Sequence, residues 1–309
     1  MSILFYSETD APEPWRKALA RGLPEMEFRV WPHVGTLEQV RYALVWKPPY
    51  GLLKTLPGLK AILSLGAGVD HLLLDPDLPQ RVPIVRMVDA GLATQMSEYA
   101  LYGVLHFHRS MDRYADQQRQ RNWRQLPAVP APERAVGVMG LGVLGSDFVR
   151  KLAVLDFKVL GWSRTPRSLT GVTTFHGSQG LHLFLEQTEI LVNFLPLTPE
   201  TTGILSASTF ARLPRGACII NIARGDHLNE QDLLAALDQG QLGGAMLDVF
   251  RREPLPPDSA FWHHPKVVVT PHIAAQAFAE LMVSQVIENI RRIERGAPPL
   301  GLVDPARGY

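Results

Sequence analysis

The sequence predicts an α/β fold built from two doubly wound parallel sheets, and three observations carry that reading. Short apolar runs alternate with longer amphipathic segments along the chain, the pattern of buried parallel strands joined by crossover helices. A glycine-rich turn, GLGVLG at 140–145, follows one such run and opens a segment of helical periodicity. The 309 residues are enough for two domains rather than one.

The first block contains ILFYS (3–7), FRVW (28–31), YALVW (42–46), AILSLG (61–66) and IVRM (84–87), each short, apolar and rich in β-branched or aromatic residues, as buried strands are. PWRKALARGL, between the first two, has helical spacing. A long helical pattern then runs from Thr94 to about Arg121, and the proline-rich NWRQLPAVPAPER reads as a connection. The second block has a strand candidate every 20 to 30 residues: AVGVMG, FKVLGW, EILVNFLP, ACIINIA, GAMLDV and KVVVTPH. Near the C-terminus SQVIENIRRIERG is a helix with a glycine stop, expected to pack back on the first block.

Composition narrows the class. Hydrophobic residues make up 46% and charged residues 20%, ordinary for a soluble globular enzyme, and the formal charge of +1 gives no basic field to favour nucleic acid. The N-terminus MSILFYSETD is too short an apolar run for a signal peptide, and no stretch approaches the roughly 18 apolar residues of a membrane span. Cys218 is the only cysteine, so an intrachain disulfide and a cysteine-built metal site are excluded. A cytoplasmic enzyme is the expectation.

Gly140, Gly142 and Gly145 follow a strand and precede SDFVRKLAVLDF. In such a turn the first glycine permits the tight bend and the second lets the backbone approach a pyrophosphate. The third lets the helix pack on the strand, and the helix N-terminus offers N–H groups to the anion. The strand candidate KVLGW ends in Ser163, Arg164, Thr165, Pro166 and Arg167. An acid there would bind the ribose 2′-hydroxyl of NAD, whereas Arg164, aided by Ser163 and Arg167, suits a 2′-phosphate, so NADP(H) is the expected cofactor.

Three later motifs supply the parts of a hydride-transfer site for a 2-oxo acid: NIARGD around Arg224, REPLPP around Glu253 and VVVTPHIAA around His272. A guanidinium matches a carboxylate bidentately, so Arg224 is assigned to grip the substrate and polarise its ketone. Imidazole exchanges a proton near neutrality, which suits His272 to donate to the developing alkoxide. Glu253 is assigned to hold the histidine.

With those residues in place, the chain resembles the D-isomer-specific 2-hydroxyacid dehydrogenases, and within them the glyoxylate/hydroxypyruvate reductases of the A type. The resemblance covers nearly the whole chain and rests on YALVWKPP, LGAGVDHLL, GVLGS, GWSRTPRS, LPLTPETTGIL, NIARGDHLNEQDLLAALDQG, GAMLDVFRREPLPP, TPHIAA and the terminal VDPARGY. It implies a flavodoxin-like substrate domain from residues 1–95 and 275–309, and a Rossmann-like dinucleotide-binding domain from 96–274. It implies that Val143, Leu144, Ile222, Ala223, His272 and Ala274 join the glycines at the cofactor. Leu195, Pro196, Thr198 and Thr201 would run under the nicotinamide ribose, and Asp248 would bind the carboxamide. The substrate would meet Trp46, Ala67, Gly68, Val69, Met96, Arg224 and His272. A homodimer formed largely through the cofactor domains is implied as well, with the 94–121 helix and Trp123 forming an arm at the interface.

The expected reaction is reduction of a small 2-oxo acid, glyoxylate or hydroxypyruvate, to the 2-hydroxy acid. Trp46 and Met96 would limit substrate size. Two alternatives stay open: a dehydrogenase of larger keto acids, and a nucleotide-sensing binding module without turnover. No metal site is expected. His106 and His108 lie two apart on a helix and cannot face one ligand, and His263 and His264 lack carboxylate partners at useful spacing. Cys218 reads as a small core residue.

Overall fold

Five of the apolar runs form one parallel sheet in the computed structural model. The structure describes residues 1–88 and 91–308; Tyr309, which ends the VDPARGY motif, lies outside them. The chain divides into two compact units, Met1–Leu92 with Gln276–Tyr309, and Ala93–Ala275.

In the first unit the strands are β1 (Ser2–Ser7), β2 (Glu27–Val30), β3 (Val40–Trp46), β4 (Ala61–Ser64) and β5 (Ile84–Val85). Their order is β2-β1-β3-β4-β5, all parallel, the flavodoxin-like order. Tyr42 to Val45 are buried without a break, as expected of a strand covered on both faces. Helix α1 (Pro12–Gly22) begins with proline, whose fixed φ suits a first helical turn, and buries Trp15, Ala18 and Leu19 along one stripe. Helix α2 (Asp70–Leu73) is a single turn after β4.

Helices α3 (Leu92–His108) and α4 (Met111–Arg119) replace the continuous helix read from 94 to 121. Ser110 stands between them in the left-handed region, with φ +53°. Its N–H bonds Phe107 O, and its own carbonyl accepts the Tyr114 N–H that starts α4. The helical spacing runs through the break because both segments are helical, so periodicity alone does not reveal it.

The second unit holds β6 (Ala135–Met139), helix α5 (Val143–Val154), β7 (Lys158–Ser163), β8 (Thr173–His176) and helix α6 (Gly177–Leu185). There follow β9 (Ile190–Asn193), α7 (Ala207–Phe210), β10 (Ala217–Asn221), α8 (Glu230–Asp238), β11 (Leu242–Leu247) and β12 (Val267–Val269). The parallel order is β12-β11-β10-β9-β6-β7-β8, a Rossmann-type sheet in which the order of strand addition reverses between β6 and β9. Edge strand β8 has no counterpart among the sequence-predicted strands. It reads TTFH and is only partly buried, so it carries no apolar run.

Side chains alternate between two apolar layers. Leu191, Ile219, Ala245 and Leu247 pack with Phe184, Phe210, Leu233 and Leu237 from α6, α7 and α8. Their neighbours Val192, Ile220 and Met246 pack with Ala100, Val104, Phe148 and Val149 from α3 and α5. Each fully buried Leu, Ile or Phe contributes about 1.5–3 kcal/mol. Both faces are thus anchored, and the loops at the C-terminal strand ends stand on a rigid base. Helix α9 (Ala279–Glu294) returns to the first unit and packs on α1; a Cβ on Gly22 would come 2.3 Å from Ile287 Cδ1. It stops at Gly296, with φ +71°.

Candidate active site

Every sequence-predicted residue of the cofactor site in the second unit, Ala274 included, lies at the C-terminal end of a strand or on the segment that leaves it. That is where open α/β sheets bind ligands. The glycine loop leaves β6, the Ser163–Arg167 turn leaves β7 and the Leu195–Thr201 loop leaves β9. Arg224 follows β10, Asp248 follows β11 and His272 follows β12.

The glycine loop is built by close approach. Gly140 has φ +98°, and a Cβ there would stand 2.9 Å from the Phe194 carbonyl. A Cβ on Gly145 would stand 1.9 Å from Gly140 O, so only glycine lets α5 start this close to its strand. Gly142 differs: a Cβ would meet nothing within 4 Å, so the space beside it is open. Gly142 is the N-cap of α5 and has no side chain with which to cap it, which suits the helix end to an anion.

At the end of β7, Ser163 is largely buried and its hydroxyl donates to Thr165 O at 2.8 Å, shaping the turn. Arg164 and Arg167 are exposed on that turn. Past β9, Thr201 Oγ1 donates to Pro196 O at 2.7 Å and accepts the Thr198 N–H at 2.8 Å, so both threonines stiffen the loop. Glu200, on the same loop, has its carboxyl held below the usual range, first by the Thr198 hydroxyl, then by its own backbone, and more weakly by Arg164.

His272 Nδ1 lies 2.9 Å from Glu253 Oε2, and Glu253 Oε1 accepts the Phe250 N–H at 3.2 Å. A carboxylate only accepts, so Nδ1 carries the hydrogen facing it and Nε2 is the nitrogen left for proton exchange. His272 has φ +55°, a conformation worth of order 1–3 kcal/mol of strain, held by its N–H on Asp248 O at 2.9 Å. The Asp248 carboxylate holds the same turn. Oδ1 accepts Thr270 Oγ1 at 2.6 Å and Ile273 N at 2.8 Å, and Oδ2 accepts Ala274 N at 2.8 Å. Burial raises the Asp248 pKa, and the three donors oppose it. Tyr99 Oη lies 2.5 Å from Thr270 Oγ1, and burial pushes the phenol to about 12.

Arg224 is half-buried and Nη1 donates to Ala223 O at 2.7 Å. The next residue fixes its loop: a Cβ on Gly225 would stand 1.9 Å from Phe250 C, so this backbone presses on the segment that leads to Glu253. Ile222 and Ala223 are buried beneath the loop, and Met96 is buried in the same apolar cluster as Ile222 and Ala274. In the first unit, Trp46 ends β3 and packs on the segment after β4. Its ring is 4.5 Å from His71, and a Cβ on Gly66 would come 2.4 Å from it. Gly68 O accepts from Ser64 Oγ at 3.4 Å; Ala67 is partly exposed, and Val69 is buried and precedes α2. Among the described residues no group of three or more His, Cys, Asp or Glu side chains could hold a metal, and no helix is long and apolar enough to cross a membrane.

Sequence reasoning missed Thr270 and Tyr99, which brace the His272 turn, and a buried trio, Asn193, Asn221 and His227. An asparagine ending two neighbouring strands, Asn193 and Asn221, was the available signal.

Residues 101–274 match the model of the D-isomer specific 2-hydroxyacid dehydrogenase NAD binding domain. Over its whole length the chain is 45% identical to a glyoxylate/hydroxypyruvate reductase A of Yersinia enterocolitica and 44% identical to that of Serratia proteamaculans, with 100% of each relative covered. A D-isomer specific 2-hydroxyacid dehydrogenase from Xanthobacter autotrophicus Py2, solved with NADPH and MES, aligns with a TM-score of 0.96 at 45% identity, covering 100% of this chain and 99% of that one. An NADPH-dependent glyoxylate/hydroxypyruvate reductase from Sinorhizobium meliloti, solved with NADP and sulfate, gives 0.92 at 42% identity with the same coverage. The chain belongs to the D-isomer specific 2-hydroxyacid dehydrogenase family.

Proposed function

We propose that this protein reduces small 2-oxo acids, glyoxylate and hydroxypyruvate, to glycolate and D-glycerate with NADPH. The observation that carries the reading is the Glu253–His272 pair, set with Arg224 and the glycine loop along one edge of one sheet. The relatives described as glyoxylate/hydroxypyruvate reductases support the substrate class, and those solved with NADPH or NADP support the cofactor.

The open space at Gly142 and a start of α5 whose N-cap has no side chain fit a pyrophosphate, and Arg164 and Arg167 fit a 2′-phosphate. When bound, the nicotinamide supplies the hydride. Arg224 holds the carboxylate of the oxo acid and draws electron density toward the ketone oxygen. His272 delivers a proton from Nε2 to that oxygen as it becomes an alkoxide. Glu253 fixes the ring and balances its charge while the proton is present.

The pure protein assayed with glyoxylate, hydroxypyruvate and phenylpyruvate, each with NADPH and NADH, tests this reading. Glyoxylate and hydroxypyruvate with NADPH should give the highest kcat/KM, and Arg224→Ala should lose it through both KM and kcat. Equal efficiency with NADH, or phenylpyruvate matching glyoxylate, would overturn the respective half.

The working unit in this reading is a homodimer. Tyr102, Leu105 and Met111 expose apolar surface on α3 and α4, and Trp123 beyond them is fully exposed, as an interface anchor would be in an isolated chain. Light scattering should give twice 34.3 kDa; a single-chain mass at micromolar concentration would refute the dimer. The single cysteine suits a reducing compartment such as the cytoplasm.

A further inference from the structure

We propose that His227 is a positioning residue that ties the loop after β9, proposed to bind the nicotinamide ribose, to the loop that carries Arg224. The inference rests on the proposed roles of those two loops.

His227 is fully buried. Its Nε2 lies 3.2 Å from Pro196 O and its Nδ1 3.1 Å from Asn193 Nδ2. A carbonyl only accepts, so Nε2 is the protonated nitrogen and Nδ1 the acceptor. The amides agree with that assignment. Asn193 Oδ1 accepts the Leu195 N–H at 3.1 Å, which identifies the other atom as nitrogen. That nitrogen gives one hydrogen to Asn221 Oδ1 at 3.1 Å and one to His227. Asn221 Oδ1 also accepts the Ala223 N–H at 3.3 Å, and Asn221 Nδ2 donates to Arg224 O at 3.0 Å. The donors and acceptors of these bonds all match in this arrangement of the three side chains. The ring reaches the first loop through Pro196 and the Arg224 backbone through Asn193 and Asn221.

The backbone around His227 is held separately. Leu205 N donates to His227 O at 2.8 Å and Gly203 N to Asp226 O at 2.9 Å. Changing the ring therefore leaves the local chain trace supported, and the ring's bonds are available for positioning.

Two amide replacements separate the two arms. In His227→Asn the side-chain oxygen sits where Nδ1 does, keeping the acceptor for Asn193, but no donor reaches Pro196. In His227→Gln the amide sits one bond further out, keeping the donor to Pro196 and withdrawing the acceptor from Asn193. Losing one buried partner costs about tenfold in the constant it supports. The Asn variant should weaken NADPH binding, read by fluorescence titration without oxo acid, about tenfold and leave the glyoxylate KM within twofold. The Gln variant should do the reverse. Both constants unchanged in both variants, or both moved equally, would mark His227 as an ordinary core side chain and overturn the proposal.

A measurement on the unmodified protein stands beside these should a variant fail to fold. The 15N resonances of the His227 ring at pH 7 should show a protonated Nε2 and a bare Nδ1; the opposite tautomer, or two protonated nitrogens, would overturn the network. Arg224→Lys separates this inference from the reading beneath it. If glyoxylate KM and kcat ignore that change, the role of Arg224 fails, and the NADPH titrations still decide whether His227 holds the Pro196 loop.

Discussion

Glu253 bridges two fixed points: one oxygen lies 2.9 Å from His272 Nδ1 and the other accepts the Phe250 N–H at 3.2 Å. The carboxylate is thereby held by the segment that Gly225, next to Arg224, presses against. The orientation of the imidazole and the placement of the guanidinium share one support.

The shared support predicts non-additive kinetics. His272→Ala should lower kcat by about 10²–10⁴-fold, the usual contribution of a general acid. Glu253→Gln leaves the ring without its charged acceptor and should cost about 10–100-fold, with little change in the KM for glyoxylate. The double variant should be no slower than His272→Ala alone, because Glu253 acts only through the ring. Losses that multiply in the double variant would give Glu253 a separate role.

The glycine loop offers a contrast between space and structure. Gly145→Ala forces a methyl group to 1.9 Å from Gly140 O and should lower the melting temperature as well as cofactor affinity. Gly142→Ala meets nothing within 4 Å and has an ordinary φ of −74°, so the free protein should melt as the wild type does. If pyrophosphate lies against that glycine, the added methyl should still weaken NADPH binding, by about tenfold or more. Unchanged NADPH affinity in Gly142→Ala would move the pyrophosphate elsewhere.

Cofactor choice should follow Arg164. In the proposed reading its exposed guanidinium makes one or two charge-assisted bonds to a 2′-phosphate, each worth about 1.5–3 kcal/mol. Arg164→Ala should cut kcat/KM with NADPH by about 10–100-fold, leave the NADH value nearly unchanged and not alter stability. Adding Ser163→Asp should move preference further toward NADH but at a cost in folding, since the new carboxylate would face the Thr165 carbonyl that Ser163 now donates to. An Arg164→Ala enzyme with wild-type NADPH efficiency would exclude the assignment.

The parts of the molecule legible in the sequence are those set by local pattern. The buried strands β1, β3, β6, β9 and β10 appear as apolar runs, and GLGVLG places its turn because Gly140 and Gly145 each answer a local steric demand. The break at Ser110 was hidden by helical spacing on both sides, and β8 by its polar, half-exposed edge position. Arg224, Glu253 and His272 were found as motifs, but spacing does not say that one carboxylate oxygen would be fixed by Phe250 N. Nor does spacing say that the Asp248 carboxylate would grip the turn that holds His272. His227 is not legible in the sequence because its ring partners, Asn193 and Pro196, lie more than 30 residues away at the end of β9 and in the loop after it, and only the fold brings them together.

The last prediction concerns stability in the first unit, where Glu294 joins two elements of sequence far apart. Its carboxylate accepts from Lys60 Nζ at 2.8 Å and from Tyr42 Oη at 2.6 Å. The Lys60 bond, then the Tyr42 bond, hold the Glu294 pKa below the ordinary carboxylate value of 4.5, against a smaller opposing effect of burial. A depressed carboxyl pKa stabilises the folded state above the unfolded value, and that contribution is lost as pH falls through the folded value. Because the side chains of Lys60 and Glu294 are each about a third exposed, solvent screening keeps the effect to about 0.5–1 kcal/mol. Glu294→Gln should therefore lower the urea midpoint of the first unit at pH 7 and approach the wild type as pH drops below the ordinary carboxylate range. A gap that persists undiminished in acid would show that Glu294 stabilises by packing, not by charge.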